Sequence, residues 1–574
     1  MTTFRVERFE FARELIVRLP EQDRRYANWP VVYILDGEEK VYVGESLNVV
    51  ARLRQHLESP SKAALDRTMV VLDRTFNKSV CLDLESYLIR LLSGDGRYQV
   101  LNGNEGITDA DYYGRDAYRE TFEEIFEALR GSDVFTRSRR DIVNDDLFKL
   151  SPFKALTPDQ ATAVEDILDG LFEDLRTGSS SRIVIQGEPG TGKTVVAIYL
   201  MKLLSDIVAA NVRPPVDEIA GDSPLSEFFL EGYRDLVEGF RFGLVVPQQS
   251  LRTSIKRVFK QTPGLDANMV LTPFQVGASK EGFDLLIVDE THRLKQRANQ
   301  SSGIRNRQFG DINRALFGTD DPELTQLDWV EQQSTHQLFL VDAAQAVRPA
   351  DLPLRAIETL TRDAELQDRR YPLTSQMRVG AGSDYVSYVR SVLSPNPPVP
   401  RQFDGYDLRH FEDLGAMRAA IRQRDDEVGL ARLVAGYAWP WRSRIDKTAY
   451  DLEFDGVQLR WNSAEVDWVN SPNAPDEVGS IHTIQGYDLN YAGVIVGNDL
   501  RFDPITRRLR FDRSEYFDTK GMENNRKRNL TYSDDDVLTF VRNIYAVLLT
   551  RGMLGTYIYV CDPPLRAYLK QFFR

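Results

Sequence analysis

Apolar and polar positions recur along this chain with two different periods. Ile183-Val184-Ile185 and Phe283-Asp284-Leu285-Leu286-Ile287-Val288 are almost wholly apolar, the pattern of strands buried in a parallel sheet. Helical spacing surrounds them. Val164, Ile167, Leu168, Leu171, Phe172 and Leu175 follow the opening Leu156-Thr157-Pro158-Asp159-Gln160, and Val195 to Leu200 is compatible with a helix. Nearer the start, Val31-Val32-Tyr33-Ile34-Leu35 and Lys40-Val41-Tyr42-Val43-Gly44 flank the polar turn Asp36-Gly37-Glu38-Glu39, which predicts a β-hairpin. Ser46 is placed to cap the next helix, on which Arg52 and His56 share one face while Leu53 and Leu57 turn to the core. Leu84, Leu88, Leu91 and Leu92 then mark an amphipathic helix carrying Glu85, followed by Leu101-Asn102-Gly103-Asn104. Together these predict an α/β chain: a small α/β domain ahead of two parallel-sheet lobes.

With 574 residues the chain exceeds what one core can hold. The pattern divides it into a compact domain over 1–108, a charged helical connector over 109–150, a strand–helix lobe over 151–395 and a second lobe over 396–574. The last begins after the Pro-rich run Ser394-Pro395-Asn396-Pro397-Pro398-Val399-Pro400. A composition 42% hydrophobic and 28% charged is that of a soluble globular protein. No apolar run approaches the length needed to cross a bilayer, and Met1-Thr2-Thr3-Phe4-Arg5 lacks the apolar core of a signal peptide. Cys81 and Cys561 are the only cysteines, which argues against a disulfide framework or a structural zinc. A cytoplasmic protein without a membrane partner is expected. The net charge of −14 does not suit a uniformly basic nucleic-acid binder, but binding depends on local patches. Basic clusters occur at Arg137-Ser138-Arg139-Arg140, from Arg293 to Arg314 (with Lys295, Arg297, Arg305 and Arg307), at Arg507-Arg508-Leu509-Arg510 and at Arg526-Lys527-Arg528. Any one of them is accounted for equally by a solvated face.

The strongest chemical signal is Gly187-Glu188-Pro189-Gly190-Thr191-Gly192-Lys193-Thr194, which has every fixed position of a phosphate-binding loop between a strand and a helix. Glycines at 187, 190 and 192 let backbone N–H groups close around phosphates, Lys193 can reach the β- and γ-phosphates, and Thr194 can hold Mg²⁺. ATP and Mg²⁺ are therefore the expected cofactors. At the end of the 283–288 strand, Asp289 suits a Mg²⁺ ligand through water, and Glu290 suits the group that orients or deprotonates the attacking water.

From here the chain resembles superfamily 1 helicases, with two RecA-like P-loop lobes. Gln160 matches the glutamine that reads adenine, and Val245-Val246-Pro247-Gln248-Gln249-Ser250 resembles a loop touching single-stranded nucleic acid. Leu338 to Gln345 resembles the motif whose glutamine, here Gln345, senses the γ-phosphate. Leu373-Thr374-Ser375-Gln376-Met377-Arg378 resembles the source of a first catalytic arginine, Arg378. Ser480 to Asp488, with Gly486 and Asp488, matches the motif linking nucleic acid to nucleotide, and Tyr545 to Arg551 matches the source of a second arginine, Arg551. Two guanidinium groups on one γ-phosphate would offset charge that spreads over its oxygens in the transition state. The wording is similar to a bacterial helicase family allied to the Schlafen group, over roughly residues 151–574, including Leu433-Val434-Ala435-Gly436-Tyr437-Ala438-Trp439-Pro440-Trp441. That Trp-Pro-Trp could stack bases, but packing within the second lobe is favoured.

Residues from about 28 to 108 resemble a GIY-YIG nuclease domain. The resemblance implies a site made of Tyr33, Tyr42, Arg52, His56, Glu85 and Asn102. Glu85 would be the ligand of one divalent cation, Arg52 would neutralise the scissile phosphate, and a tyrosine of lowered pKa would take a proton from water. Val31 stands where the family has glycine, and the tyrosines are nine apart (42 − 33), closer than usual. The expected protein is an ATP-dependent helicase or translocase fused to a metal-dependent endonuclease, acting on nucleic acid with DNA ahead of RNA. By analogy it would serve defence against foreign DNA, or repair. Three rivals stay open: a regulatory NTPase gating the nuclease without processive unwinding, an RNA-directed nuclease-motor, and a non-cutting binding protein with a motor.

Overall fold

The computed structural model describes residues 4–103, 111–209, 224–300, 302–342, 347–377, 379–380, 382–454, 456–464, 467–484 and 487–573. Contacts divide the chain into two units. The first comprises Met1–Glu165, Ile198–Gly239 and Ser254–Asn268, and the second Asp166–Ala197, Phe240–Thr253 and Met269–Arg574.

The first unit is built on a five-stranded sheet in the order Arg5–Glu10, Arg67–Leu72, Val31–Asp36, Lys40–Ser46 and Gln99–Val100. Val31–Asp36 and Lys40–Ser46 form the expected hairpin, with Tyr33 opposite Gly44. Alternate side chains feed two cores, as the two-residue period of a strand requires. Val32, Ile34, Val41, Val43, Met69 and Val71 pack with Leu84, Leu88 and Leu92 of the Lys78–Asp95 helix. Tyr33, Leu35, Val70 and Leu72 pack with Ile16, Leu19 and Leu53 on the other face. The Val49–Leu57 helix is capped by Asn48, whose side chain accepts from the Ala51 N–H at 3.0 Å; Ser46 instead accepts from the Asn48 N–H. The cap lies two residues later than expected because the strand runs through Ser46.

Gly44 is fixed by the tyrosine across from it. A Cβ there would lie 2.3 Å from Tyr33 Oη and 2.4 Å from its Cζ. Gly44→Ala is expected to lower stability by about 1–3 kcal/mol, the usual range for overpacking. Thermal unfolding checks this, and an unchanged midpoint would mean that the Tyr33 ring is not held against this strand.

Residues 111–150 are not a free connector. Phe122, Ile125, Phe126 and Leu129 of the Arg119–Gly131 helix enter the same core as Leu84 and Leu88. The Asp95 carboxylate accepts from the backbone N–H of Thr136 and Arg137, at 3.1 and 3.0 Å. Arg137 is spent on Asp145 at 2.8 Å and Arg139 on Glu123 at 3.4 Å, so this basic cluster is a local solvated and paired face. The sequence showed the charges but not the apolar stripe between them.

The second unit holds two larger sheets. One runs Arg370–Leu373, Arg182–Gly187, Ser334–Val341, Phe283–Val288, Phe242–Val245, Val270–Leu271, with every adjacent pair parallel. The other runs Asp407–Phe411, Gly552–Val560, Leu489–Val496, Ala431–Ala435, Glu477–Ser480, Val457–Trp461, Leu452–Phe454, antiparallel only at its last pair. The fold is thus α/β with parallel-rich sheets. The second core begins before the expected residue 396. Tyr385, Val386, Val389 and Val392 of the Ser383–Val392 helix pack with Ile544, Leu548, Leu569 and Phe572, and Tyr385 Oη donates to the Leu549 carbonyl at 2.9 Å. The Pro-rich run follows that helix and marks no boundary. Trp439 and Trp441 lie partly buried against the core of the second sheet, beside Trp461. Among the described residues, no helix is long and apolar enough to cross a membrane.

Candidate functional sites

The Arg182–Gly187 strand delivers the glycine loop at its C-terminal end, where parallel sheets place ligands. Gly190 and Gly192 take φ of +90° and +78°, a region that side-chain-bearing residues rarely adopt. A Cβ on Gly187 would meet Thr191 Oγ1 at 2.4 Å. Lys193 Nζ donates to the carbonyls of Gly187 and Glu188, at 2.6 and 2.9 Å, and lies 4.0 Å from Asp342 Oδ2. Thr194 Oγ1 donates to Asp289 Oδ2 at 2.8 Å, which brings a hydroxyl and a buried carboxylate together as a Mg²⁺ site would need.

Asp289 and Glu290 titrate as a buried pair pulled apart. Burial and the Glu290 charge push Asp289 up, against its bonds to Thr194 and the Glu290 N–H. Burial pushes Glu290 up as well, but His292, Lys193 and Arg293 outweigh it and hold Glu290 ionised. Glu290 Oε2 sits 3.0 Å from His292 Nε2, a contact that favours the ionised carboxylate. That is the state required of a group that orients or deprotonates water.

Gln376 Nε2 donates to the Pro189 carbonyl at 2.8 Å, and the Met377 N–H to that of Gly190 at 2.8 Å, so this segment does lie on the glycine loop. Gln345, Arg378 and Gly486 fall outside the described residues. Arg551 is buried, with Nη1 donating to the Tyr487 carbonyl at 3.3 Å. An arginine that reaches the loop instead is Arg390, 3.5 Å from both Glu188 Oε1 and Asp342 Oδ1. Asp488 lies half-buried just ahead of the Leu489–Val496 strand. Gln160, in the first unit, is buried, and its Oε1 accepts from the Thr157 N–H at 3.1 Å; its side chain holds the start of the Pro158–Thr177 helix.

Behind Glu290 runs a charge network that sequence reasoning missed. Arg293 Nη1 lies 3.6 Å from Asp351 Oδ2, and the same carboxylate takes Lys295 and the Arg348 N–H. Arg348 donates to Asp518 at 3.0 Å and to His482 Nε2 at 2.6 Å. Burial and the Arg348 charge lower His482 to about 4, against the pull of Asp518, so it is neutral at physiological pH. His292 and Arg293 could have been found, since only Thr291 separates them from Asp289-Glu290. Asp351 and Asp518 carry no local signal.

In the first unit, Tyr33, Tyr42 and His56 meet, and Arg52 and Glu85 are near enough to act on Tyr33. Tyr33 Oη is 2.7 Å from His56 Nε2, and the Tyr33 and Tyr42 rings are 6.3 Å apart. The charges of Arg52 and Glu85 are both felt at Tyr33. Lys62, a buried lysine absent from the expected set, donates to His56 Nδ1 at 2.8 Å and lies 3.8 Å over the Tyr42 ring. An ammonium only donates. Nδ1 is therefore the acceptor, and the proton of neutral His56 sits on Nε2, facing Tyr33. Burial, then the Lys62 and Arg52 charges, push His56 down to about 3.

Burial, with Tyr42 and Glu85, drives the Tyr33 pKa well above its usual value despite Arg52, so Tyr33 is not a tyrosine of lowered pKa. Tyr42 is half-buried and the more open of the two. Asn102 acts as a brace: its amide donates to the Val43 carbonyl at 2.7 Å and accepts from the Val43 N–H at 3.1 Å. Glu85, half-buried, offers a single carboxylate, and no cluster of three or more His, Cys, Asp or Glu able to hold a metal occurs among the described residues. One carboxylate suits a Mg²⁺ that keeps most of its waters.

Residues 180–562 match the family described as Schlafen group 3, DNA/RNA helicase domain. An uncharacterized protein of Saccharomyces cerevisiae is 26% identical over 75% of this chain and 94% of its own. The ATP-dependent DNA helicase RecG of Borreliella burgdorferi is 25% identical over 33% of this chain, which spans only 28% of RecG. Among solved structures, the Arterivirus nonstructural protein 10 helicase in complex with DNA is similar at 13% identity with a TM-score of 0.28, over 70% of this chain and 64% of that one. Pif1 helicase from Bacteroides, with ADP-AlF3 and ssDNA, gives 10% identity and a TM-score of 0.24, over 71% of this chain and 94% of that one.

Proposed function

The chain belongs to the Schlafen group 3 DNA/RNA helicase family, and from that premise we propose that it is an ATP-driven translocase or helicase on nucleic acid, joined to an N-terminal metal-dependent GIY-YIG endonuclease. The observation that carries the motor reading is the glycine loop beside Asp289 and Glu290, with Thr194 on Asp289 and the Glu290 carboxylate held ionised beside His292. Lys193 neutralises the β- and γ-phosphates, Glu290 orients and deprotonates the attacking water, and Arg390 joins Arg378 in offsetting charge on the γ-phosphate. Arg551, whose Nη1 donates to the Tyr487 carbonyl, keeps its proposed place as the second arginine. Mg²⁺ held through Thr194 and Asp289 would supply further charge neutralisation on the phosphates. Gln160, Gln345, Gly486 and Asp488 keep their proposed places around nucleotide and strand.

The nuclease reading rests on the meeting of Tyr33, Tyr42 and His56, with the Arg52 and Glu85 charges acting on Tyr33. Arg52 neutralises the scissile phosphate, Tyr42 takes the proton from water, and His56, its tautomer fixed by Lys62, holds Tyr33. A divalent cation on Glu85 would stabilise the leaving oxygen. The four-part domain organisation remains a proposal, with its connector redrawn as part of the nuclease module. DNA is set ahead of RNA, and restriction of foreign DNA or repair is the setting by analogy.

The deciding experiment measures ATPase stimulation by single- and double-stranded DNA and RNA, alongside strand displacement with cleavage read on a separate label. Stimulation with ATP-dependent displacement is expected. Stimulation of ATPase and cleavage without displacement would replace the translocase by a regulatory NTPase.

A further inference from the structure

The basic run Arg526-Lys527-Arg528 lies on a small loop that is closed on itself. It falls in the chain between the Leu489–Val496 and Gly552–Val560 strands of the second large sheet. Asn525 and Leu530 exchange both backbone hydrogen bonds at 3.0 Å, the Asn525 side chain accepts from the Arg528 N–H at 3.2 Å, and Asn529 takes φ of +52°. Two of the three cations are spent across a gap in the sequence. Arg528 Nε donates to Glu323 Oε1 at 2.9 Å, while its two Nη atoms reach Glu323 Oε2 and Gln296 Oε1, and the side chain is left only 4% exposed. Lys527 Nζ lies 3.5 Å from Asp320 Oδ2. Gln296, Asp320 and Glu323 belong to the chain between the Phe283–Val288 and Ser334–Val341 strands of the sheet that carries the glycine loop. Nearby, the Asn299 amide donates to the carbonyls of Glu523 and Asn524, at 3.1 and 3.2 Å. It does so from a turn in which Ala298 and Asn299 take φ of +131° and +54°, and alanine rarely holds such a φ unless the contacts around it fix it. The loop thus ties one half of the second unit to the other.

The charges at the tip are arranged so that this tie can be released. Asp320 takes Arg297 at 2.6 Å as well as Lys527, and Glu323 takes Arg355 at 3.3 Å as well as Arg528. When the loop withdraws, each carboxylate keeps a cation from its own side, and Lys527 and Arg528 regain water. Neither half is left with a buried unpaired charge, the term that makes breaking an ordinary buried pair so unfavourable. Two states follow, one seated and paired, the other released and hydrated. A motor of the proposed kind must change the spacing of its two halves during each turnover, and a tie between them opposes that change. We propose that the 525–530 loop is an ion-pair clasp that holds the two halves of the motor together and restrains ATP turnover until it opens. The proposal rests on the motor reading and adds a restraint to it. The base of the same segment, Asp518 on Arg348, connects through Asp351 and Arg293 to Glu290, so a clean test acts at the tip.

The test reads distance and turnover on the full chain. Ile304 and Ile505 are 69% and 93% exposed, one on each half, and Ile304→Cys with Ile505→Cys takes a donor and an acceptor dye while the buried Cys81 and Cys561 take none. Glu323→Gln and Arg528→Gln should each broaden the dye-to-dye distance and raise ATP hydrolysis without nucleic acid about fivefold. The two together should do no more than either alone, because they remove one contact. Added salt should broaden the distance in wild type and change the variants little. Arg526→Gln, on the same loop but exposed, controls for charge and should leave both readings at wild type. Wild-type distances in both tip variants overturn the clasp. Broadened distances with unchanged turnover overturn the restraint, and so do effects that add up in the double variant. A fall in turnover would make the loop part of the hydrolytic machinery and overturns the restraint as well. A wild-type chain that hydrolyses no ATP defeats the motor reading and the restraint with it, while the distances alone still decide whether the loop ties the two halves.

Discussion

Lys193→Ala is expected to reduce ATP hydrolysis by on the order of 10³-fold or more. Lys193 is the glycine loop's own cation: its Nζ already sits within hydrogen-bond reach of the Gly187 and Glu188 carbonyls, 4.0 Å from Asp342. Arg390 lies against Glu188 and Asp342 from a different helix, and a guanidinium held by two carboxylates cannot take over the position of an ammonium inside the loop. Glu290→Gln should separate binding from turnover. The amide keeps the shape of the side chain and loses the ionised oxygen that His292, Lys193 and Arg293 hold ready. ATP affinity should therefore stay within a few-fold of wild type while hydrolysis falls roughly as far as with Lys193→Ala. Phosphate release and binding of a fluorescent ATP analogue measure the two effects. Near-normal turnover in either variant would sink the assignment of this site.

Much of this site was legible because its residues are contiguous. Eight consecutive positions specify the glycine loop, and a run of apolar residues ending in Asp289-Glu290 specifies the strand that faces it. The backbone then supplies the geometry, since neighbouring parallel strands bring their carboxyl ends to one edge. The network behind Glu290 was not legible, because Asp351 and Asp518 are ordinary loop aspartates until the fold places them beside Arg293 and Arg348. Arg390 is hidden for the same reason: its helix reads as a short amphipathic segment, and only its packing on the second core aims it at Glu188. The basic run from Arg293 to Arg314 shows both outcomes side by side. Arg297 pairs with Asp320 at 2.6 Å, and Arg293 and Lys295 pair with Asp351, whereas Arg305 donates to the neutral Gln308. Charge alone could not tell a matched arginine from an unmatched one. Nor could spacing reveal that burial pushes the Tyr33 pKa up, since its neighbours come from the hairpin, two helices and a turn.

Glu85→Ala is expected to abolish divalent-cation-dependent cleavage, by roughly 10³-fold, while ATP hydrolysis stays within about twofold of wild type. The two activities separate because Glu85 belongs to the first unit, whereas Lys193, Asp289 and Glu290 belong to the second. Loss of Glu85 removes the carboxylate proposed to hold the cation and leaves Tyr33, Tyr42, Arg52 and His56 in place. Their packing rests on the sheet and on the Lys62–His56–Tyr33 chain of hydrogen bonds. Lys62→Met provides the companion measurement. Without the ammonium, His56 is released from the Nε2–H tautomer, and one of the two charges that lower its pKa is gone. The pKa of about 3 should then rise toward the ordinary histidine range. Cleavage should fall, and its acid limb should move to higher pH as His56 begins to protonate within the working range. A merely structural lysine would lower the amount of folded enzyme without moving the pH profile. Cleavage that persists in Glu85→Ala and Arg52→Ala alike would remove the nuclease from this module and leave a binding domain in its place.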